Sequence, residues 1–521
     1  MTNYNMNQTI LPLTTDYTVQ KDNPAYYINE LVESLSIKEH YLFGRPREYD
    51  LGAMMKLVLF AYTRGVFSSR RIETFAVENL TARWLTREQM PTYRTICRFR
   101  ISDELETLIH DGLDQLVDYL RRQNLIDDVT FIDGTKILAD ANKYSFVWRK
   151  NTVRFDQMNR EAIQKILADI KHAYGAAFVP EGTNLTLEMM DEVITRLENR
   201  LDKLNKEIER QPKLSPNPAK QSRRHIKKIK RQLIQRKVKM IEHQRQMETF
   251  GDRNSYSKTD QDSTFMRVKE DPMMNGQLKP AYNLQIATNN QFVLGFGLFQ
   301  RPTDTKTFIP FLSTLAKTNT LAENIVADAG YGSEANYRTI EDNYEHHQAI
   351  IPYGTMLKEQ SRQWQSDDRK IMNWNYSADD DYNIDQRGVR FNFQRYSKRT
   401  DKSGITRDFK IYRAEKFDED HQVIPAALTR SGQTRYISIN PSWEYFKAQQ
   451  RERLTTETTA QMYARRKTDV EPVFGRMKAY LGFKRFMVRG LAKVTKETGI
   501  VIMALNMAKM TIPVSLVTFA K

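Results

Sequence analysis

Three acidic residues occur in settings that would hold them rigidly. Asp133 closes the apolar run VTFID, Asp328 closes NIVAD, and Glu471 lies in the basic segment YARRKTDVEPVFGRMK. Residues at the ends of neighbouring strands meet at one edge of an α/β sheet, where ligands bind. Clustered carboxylates repel one another unless a cation joins them, and Mg²⁺ prefers such oxygen ligands. The three acids therefore indicate a divalent-metal site of the kind that supports phosphoryl transfer.

Each acid taken alone also has an ordinary structural explanation. An aspartate after a strand is commonly a turn residue or a helix cap. Lys467 and Glu471 have the i,i+4 spacing of a surface ion pair, which is worth only tenths of a kcal/mol. We adopt the capping explanation for four further acids in loop-like settings, which are Asp140, Asp260, Asp262 and Asp304.

The segment around Glu471 predicts a helix with a mixed acidic and basic face. A 4–4–3–4 spacing, which places residues on one helical face, joins Tyr463, Lys467, Glu471, Phe474 and Lys478. Arg466 and Lys478 are the cations that would hold phosphates beside a metal-bound acid. Pro472 is expected to kink or start a helix, which works against a continuous face.

Composition indicates a polyanionic partner. The 521-residue chain carries a net charge of +16, a balance that suits nucleic acid and also suits a merely basic soluble protein. Its one cysteine, Cys97, excludes an intrachain disulfide and a cysteine zinc site. The most apolar late run spans residues 499–510, far short of the ~20 residues that cross a membrane. We expect a cytoplasmic protein with no membrane partner.

The N-terminal region predicts a flexible polar arm at residues 1–25 and a helical domain at 26–125. Several arginines fall near predicted turns, at Arg70, Arg71, Arg94, Arg98 and Arg100. This arrangement is typical of helix-turn-helix DNA-binding domains. The alternative is a plain helical bundle with solvated arginines.

A basic helical hairpin is predicted at residues 151–250. Apolar residues at 194, 197, 201, 204 and 208 form a coiled-coil seam, residues 212–218 break it, and a second stripe begins at Ile226. Residues 213–241 hold 11 Lys or Arg and no Asp or Glu. That run favours contact with phosphates over a simple solvated face.

The hairpin interrupts a mixed α/β core that is predicted at residues 126–150 and 251–362. The order is strand, strand, strand, helix, strand, helix, strand, helix, with a tight hairpin at Asn289–Asn290. A β-rich insertion follows at 363–445, and helices that carry the last acid fill 446–521. Trp148, beside Arg149 and Lys150, is a candidate for stacking on an unpaired base, although such a tryptophan is commonly a core residue.

Four motifs carry a resemblance to a known family. They are PTYRTICRFR, FIDGTKILADANKYSFVWRK, ADAGYGSEANY, and the spacing Tyr463–x2–Arg466–x4–Glu471–x6–Lys478 followed by GFKRFMVRGLAKV. Over roughly residues 26–510, the chain resembles bacterial insertion-sequence transposases of the DDE class. The most similar branch has an N-terminal helical domain and a Tyr-Arg-Glu-Lys signature.

The resemblance implies a fold, a set of catalytic residues and partners. It implies an RNase H-like core, with Asp133, Asp328 and Glu471 as the triad that binds two Mg²⁺ ions, for which Mn²⁺ can substitute. Tyr463, Arg466 and Lys478 fall on signature positions that contact phosphates at the transposon ends. The implied partners are double-stranded DNA at the transposon ends and at the target, and a second copy of the chain in the synaptic complex. The implied location is the bacterial cytoplasm, at the nucleoid.

One departure and two alternatives accompany the resemblance. Relatives in this branch often carry a cysteine cluster in the second insertion, whereas the comparable residues 381–388 contain no cysteine. That insertion must therefore fold by other means. The alternatives to a transposase are a catalytically inactive or repurposed DNA-binding protein and a metal-dependent nuclease without strand transfer.

Overall fold

The computed structural model describes residues 17–37, 48–175, 178–180, 185–210, 216–269, 275–401 and 404–512. The chain divides into two compact units, one formed by Met1–Ile137 with Tyr282–Lys521 and the other by Leu138–Ala281. Residues 1–16 of the predicted arm and residues 212–215 of the predicted break lie outside the described residues.

The first unit begins with a cluster of helices. They are α1 (Pro24–Ser34), α2 (Leu51–Thr63), α3 (Ser69–Glu78), α4 (Leu80–Thr86), α5 (Tyr93–Phe99) and α6 (Asp103–Arg122). Every residue of α2 is buried, because this helix packs between its neighbours and the C-terminal helix α16 (Leu491–Met510). The predicted helix start at Pro91–Thr92 is confirmed, since Thr92 is the N-cap of α5.

A mixed sheet forms the core of the first unit. Its strands are β1 (Val129–Leu138), β5 (Leu278–Asn289), β6 (Phe292–Phe299), β7 (Asn324–Ala327) and β8 (Gln348–Ile350). They lie side by side in the order β6–β5–β1–β7–β8. The pairs β1–β7 and β7–β8 are parallel, whereas β5–β6 is antiparallel. This mixed α/β arrangement confirms the predicted RNase H-like core.

Helices cover the sheet in the predicted alternation. Helix α10 (Phe308–Lys317) precedes β7, and α11 (Glu334–Asn343) precedes β8. The helices that follow β8 are α12 (Met356–Glu359), α13 (Arg362–Gln365), α14 (Pro441–Thr455) and α15 (Glu457–Gly475). Apolar residues of the sheet and of α10, α11 and α14 form one buried cluster that includes Ile132, Phe311, Ile325, Tyr337 and Phe446. The strand that carries Asp133 is thus backed by a packed core, which limits its movement.

Two local predictions need correction. The expected two-residue turn at Asn289–Asn290 lies one residue further on, because Asn290 and Gln291 adopt φ of +49° and +63° between β5 and β6. Both positive φ values are those of the tight turn that suits a twisted hairpin. Strand β1 also does not end at Asp133; it runs on to Leu138, with β5 as its neighbour in the sheet.

The β-rich insertion is an antiparallel sheet that folds without cysteine. Its strands run in the order β13–β12–β11–β10–β9, with bounds Tyr436–Ile439, Thr406–Ala414, Arg390–Thr400, Tyr382–Ile384 and Asn375–Ser377. Trp374, Phe391 and Tyr412 form its buried core. Asp385 closes the turn that follows β10. Its carboxylate accepts the N–H groups of residues 387 and 389 and pairs with Arg435 at 2.8 Å.

The second unit is built mainly from long helices. They are α7 (Arg149–Tyr174), α8 (Leu187–Arg210) and α9 (Pro218–Phe250). The predicted apolar seam on α8 is confirmed as buried, and α7 contributes Ile163, Leu167 and Ile170 to the same core. Sequence analysis predicted only the α8–α9 pair. Short strands complete the unit: β2 (Phe146–Trp148) pairs with β3 (Ser255–Ser257), and β4 (Thr264–Arg267) pairs with residues 278–281.

A buried ion pair joins the N-terminal helices to α16. Arg100 pairs with Glu497, and the Tyr62 hydroxyl donates to the same carboxylate at 3.0 Å. The second carboxylate oxygen accepts the Met487 N–H at 2.8 Å. The sequence places Arg100 among the turn arginines of the predicted DNA-binding domain, yet only 5% of its side chain is exposed. Removing one member of such a pair is strongly destabilising.

In the part of the chain that the structure describes, we find no helix long and apolar enough to cross a membrane. The apolar run at residues 499–510 belongs to α16, whose residues are buried on nearly all sides by the protein itself.

Lys509 in α16 gives a prediction about stability. Its ammonium group is buried and has no hydrogen-bond partner among the described residues. Burial, with the nearby Arg476 charge, lowers the pKa of Lys509 from 10.5 to about 8. We expect Lys509→Met to raise the free energy of unfolding at neutral pH by roughly 2 kcal/mol. Urea unfolding of both proteins measures the difference.

The pH dependence of that difference follows from the sign of the shift. The unfolded chain holds the proton more tightly than the folded protein, so the charged lysine costs stability below about pH 8. This cost fades as the pH rises from about 8 to 10.5. Lys317→Met, at an exposed position of α10, is the control and should change stability by less than about 0.5 kcal/mol. A less stable Lys509→Met protein would contradict the assignment.

Candidate active site

The register of β1 and β7 brings Asp133 and Asp328 together. The two strands are parallel, and their last paired residues are Ile132 and Ala327. Asp133 and Asp328 each follow directly, so the carboxylates leave adjacent strands at the same level. Each one accepts a nearby backbone N–H, from Gly134 at 2.7 Å and from Gly330 at 2.8 Å. Strand register therefore sets the two predicted acids side by side, at the level where β7 ends and β1 continues.

Helix α15 presents a cation and a phenol to this pair. Arg466 Nη1 lies 3.2 Å from Asp133 Oδ2, and both side chains are less than a quarter exposed. Burial raises the pKa of the Tyr463 hydroxyl, with Asp328 and Asp133 adding to the rise and Arg466 opposing it. Tyr463 and Arg466 thus share one environment with both aspartates.

Pro472 lies inside α15 and does not end it. A proline cannot donate to the carbonyl four residues earlier, here that of Thr468. That carbonyl instead accepts from Gln291 Nε2 at 3.2 Å. Asp469 adds two further bonds to the same hairpin, from Thr288 Oγ1 at 2.6 Å and the Gln291 N–H at 3.2 Å. The β5–β6 turn therefore satisfies the group that Pro472 leaves unbonded and holds α15 against the sheet.

The helix then passes into a π-helical turn at Arg476–Tyr480. Such turns shift the following side chains around the axis and are frequent at functional sites. Lys478 on this turn donates to the backbone carbonyl of Lys136 at 3.0 Å. The signature residues Arg466 and Lys478 consequently contact β1 on either side of Gly134, although the residues between them are not one regular α-helix.

Asp304 is a site residue that sequence analysis missed. We assigned it to loop capping, but its carboxylate does not bond to the start of α10. It pairs instead with Lys136 Nζ at 2.8 Å, three residues beyond Asp133. The loop context gave no signal for this role, because a capping aspartate and a charge partner look alike in one sequence.

Glu471 occupies a different environment from the two aspartates. It lies on α15 between Arg466 and Lys478 in sequence, and its side chain is exposed. Within the described residues, no group of three His, Cys, Asp or Glu side chains is placed to hold a metal ion. The structure therefore brings Asp133 and Asp328 together but does not gather the three predicted acids.

The arginines predicted to contact DNA lie on two neighbouring helices of the first unit. Arg70 and Arg71 begin α3, Arg98 lies on α5, and all three are exposed. The Arg70 guanidinium lies 5.1 Å from the ring centre of Tyr93, the first residue of α5. The exposed cations of α3 and α5 are thus adjacent.

The remaining predicted contacts belong to the second unit. Trp148 is half-buried, with ring centres of Phe265 and Phe146 at 5.9 and 6.2 Å. Arg149 donates to the carbonyls of Arg253, at 2.9 Å, and Gly251. Lys150 is exposed. Aromatic and backbone contacts therefore hold the first two residues in position, whereas Lys150 is exposed.

Gly134 gives a prediction about packing at the site. A Cβ at this position would lie 2.2 Å from Gln285 Nε2 and 3.1 Å from Asp304 Oδ1. Gln285 is fully buried and cannot move aside easily. We expect Gly134→Ala to lower the free energy of unfolding by about 1–3 kcal/mol, as measured by denaturant unfolding.

Gly475→Ala is the matched control. No atom lies within 4 Å of a Cβ at Gly475, which ends α15. That substitution should leave stability unchanged or raise it by up to about 1 kcal/mol. Equal effects of the two substitutions would show that the space around Gly134 is not constrained.

Comparison with known protein families identifies the family of this chain. Residues 253–507 match the family model described as "Transposase DDE domain", and residues 13–102 match the one described as "Transposase domain (DUF772)". No curated protein and no solved structure matches the chain. Asp328 and Glu471 fall within the first match, while Asp133 lies outside both and is placed beside Asp328 by strand register. The chain belongs to the insertion-sequence transposases of the DDE class.

Proposed function

We propose that this transposase binds the terminal inverted repeats of its insertion sequence, cleaves the DNA there and transfers the freed 3′ hydroxyl to target DNA. Asp133, Asp328 and Glu471 are the proposed catalytic carboxylates. The observation that carries the proposal is the parallel register that sets Asp133 beside Asp328, with Arg466 in contact with the first of them.

The donor chemistry of the two aspartates fits a divalent cation. Carboxylate oxygens are the ligands that Mg²⁺ and Mn²⁺ prefer, and two of them leave adjacent strands at one level. Glu471 is the proposed third ligand, joining the pair when DNA is bound. Two bound Mg²⁺ ions would activate the attacking oxygen and stabilise the leaving oxygen of an in-line displacement.

The cations of α15 have a role that can be argued from the chain itself. In the structure, Arg466 neutralises Asp133 across 3.2 Å. A DNA phosphate would compete for the same guanidinium, which binds phosphate as well as carboxylate. The proposed exchange draws Arg466 to the DNA and leaves Asp133 available as a ligand. Lys478 and Tyr463 are proposed to hold the neighbouring phosphates, so that DNA binding and site assembly are coupled.

Contacts further from the carboxylates are proposed for DNA outside the cleavage position. Arg70, Arg71 and Arg98 would bind the backbone of the transposon end. In the second unit, Lys150 and the exposed cations of α9 would do the same, and Trp148 is the proposed stacking partner of an unpaired base. Joining two ends calls for a homodimer in the synaptic complex. The reaction would take place on bacterial DNA in the cytoplasm, at the nucleoid.

The central prediction concerns the three carboxylates. We expect Asp133→Asn, Asp328→Asn and Glu471→Gln each to lower the Mg²⁺-dependent cleavage rate by about 10³-fold or more. DNA affinity should change by less than about threefold, because the acids act on the reacting phosphate. The assay is single-turnover cleavage of a DNA fragment carrying the sequences that flank this gene, with pre-cleaved ends to measure strand transfer separately.

Glu457→Gln is the control for Glu471→Gln, since both glutamates are exposed on α15. The control should cleave at the wild-type rate. Wild-type cleavage by Glu471→Gln would overturn the assignment of the third acid. Cleavage without strand transfer would favour a nuclease, and DNA binding without cleavage by the wild-type protein would favour a DNA-binding protein with no activity.

A second prediction concerns the exposed arginines of α3 and α5. Each phosphate contact contributes about 0.9 to the slope of log affinity against log salt. The double variant Arg71→Ala with Arg98→Ala should therefore bind the flanking DNA more weakly and reduce that slope by about 2. Arg87→Ala is the control, because Arg87 is exposed but pairs with Glu33 at 3.4 Å. An unchanged slope in the double variant would place the DNA contact elsewhere.

A further inference from the structure

Asp304 connects two strands of the site, β1 and β5, through one carboxylate oxygen. It lies in the loop between β6 and α10. Its Oδ1 atom accepts from Lys136 Nζ at 2.8 Å, Asn283 Nδ2 at 2.8 Å and Gln285 Nε2 at 3.0 Å. Lys136 belongs to β1, and the two amides belong to β5. The carboxylate thus ties the stretch of β1 just beyond Asp133 to the neighbouring strand.

The same loop also holds the turn that follows Asp328. Thr305 Oγ1 donates to the carbonyl of Gly330 at 2.7 Å. Tyr331, the next residue, donates its hydroxyl to Gln285 Oε1, and Gln285 is one of the amides bound to Asp304. The loop therefore contacts both arms of the site, the strand that carries Asp133 and the turn that begins at Asp328.

Helix capping does not explain this carboxylate. The N-cap of α10 is Thr307, which makes no side-chain cap bond. The local turn is closed by the backbone carbonyl of Asp304, which accepts from Thr307 N at 3.0 Å and from Thr307 Oγ1 at 2.8 Å. The carboxylate is directed away from the helix start and toward Lys136, Asn283 and Gln285.

The charge of Asp304 is also electrostatically unfavourable, because it lies near the like charges of Asp133 and Asp328. Burial raises the pKa of the Tyr331 hydroxyl well above its usual value, and the charges of Asp304, Asp133 and Asp328 raise it further. Three carboxylates therefore act on one phenol. An asparagine could accept from the same amides without adding a like charge beside two others, so the charge is best explained by its ion pair with Lys136.

We propose that Asp304 is a positioning residue, which sets the separation of Asp133 and Asp328 by binding the strand of one and, through Gln285 and Tyr331, the turn of the other. The inference rests on the proposed function, because it assigns Asp304 to the site where those two carboxylates hold a divalent ion. In this proposal Asp304 acts through Lys136 and Gln285 and is not itself a metal ligand.

The first test measures metal affinity and cleavage separately. Asp304→Asn keeps the size of the side chain and removes its charge. We expect its affinity for Mn²⁺, titrated calorimetrically on the complex with pre-cleaved flanking DNA and with the DNA alone as the blank, to fall about tenfold, and its single-turnover cleavage rate to fall about 10–100-fold, as for other residues that orient ligands. Affinity for the flanking DNA should stay within about twofold of wild type. Saturating Mn²⁺ should restore part of the cleavage rate.

The matched control is Asp156→Asn in the second unit. The Asp156 side chain is 25% exposed and pairs with Arg160 at 2.7 Å, compared with 32% and 2.8 Å for Asp304 and Lys136. The control should bind Mn²⁺ and cleave as wild type does. Thermal unfolding of both variants shows whether a loss of activity is only a loss of folded protein.

The second test is a double-variant cycle with Lys136→Met. If both substitutions break the same ion pair between Asp304 and Lys136, their effects should not multiply. The cleavage rate of the double variant Asp304→Asn with Lys136→Met should then be no more than about threefold below that of the slower single variant. Tyr331→Phe removes the other end of the connection without touching a charge. Like Asp304→Asn, it should lower the affinity for Mn²⁺, because the turn after Asp328 loses its hydrogen bond to Gln285.

The results that overturn the proposal are distinct from those that overturn the proposed function. Wild-type Mn²⁺ affinity and cleavage in Asp304→Asn would remove the positioning role, as would effects of Asp304 and Lys136 that multiply. A loss as large as that of Asp133→Asn, unrelieved by Mn²⁺, would make Asp304 a ligand instead. Absence of cleavage by the wild-type protein would count against the proposed function alone, while the Mn²⁺ titrations would still decide the role of Asp304.

Discussion

The mutual repulsion of Asp133 and Asp328 is the constraint on which the rest of the site depends. Strand register sets the two residues side by side, and like charges in neighbouring positions repel one another. The surrounding groups offset that negative charge. Arg466 pairs with Asp133, and backbone N–H groups bind both carboxylates. Lys136 pairs with Asp304, a further acid beside them. These contacts offset part of the repulsion between the two carboxylates.

Helix α15 supplies this compensation only because the β5–β6 hairpin holds it in place. A proline in the middle of a helix leaves a carbonyl unbonded, and Gln291 at the hairpin tip donates to it. Asp469 receives two further bonds from the same hairpin. The π-helical turn that follows then allows Lys478 to reach the backbone of β1. Features that weaken a helix in isolation are here the ones that orient its cations toward the sheet.

Sequence reasoning identified the parts of the site whose signals are local. An apolar run that ends in an acid marks a strand and its carboxylate, so the environments of Asp133 and Asp328 could be predicted. Arginine gives no such signal: Arg100 and Arg98 look alike in the sequence, yet one is buried against Glu497 and the other is exposed. Asp304 was missed for the same reason, since its partners on β1 and β5 are distant in the chain. Tertiary contacts between residues distant in the chain, which no spacing rule contains, separate these cases.

The positive charge of the chain is divided between two settings. Arg466, Lys136 and Lys478 are partly buried and already have acceptors in the protein, whereas Arg71 and Arg98 are exposed on α3 and α5. Exposed cations attract a polyanion over about a Debye length of 8 Å at physiological salt. Cations with acceptors change partner only when a phosphate comes close enough to replace the carboxylate. The exposed cations can therefore attract DNA from any direction, whereas the cations with acceptors respond only to DNA bound at the carboxylates. The proposed exchange at Arg466 would then be a selective step in assembling the site.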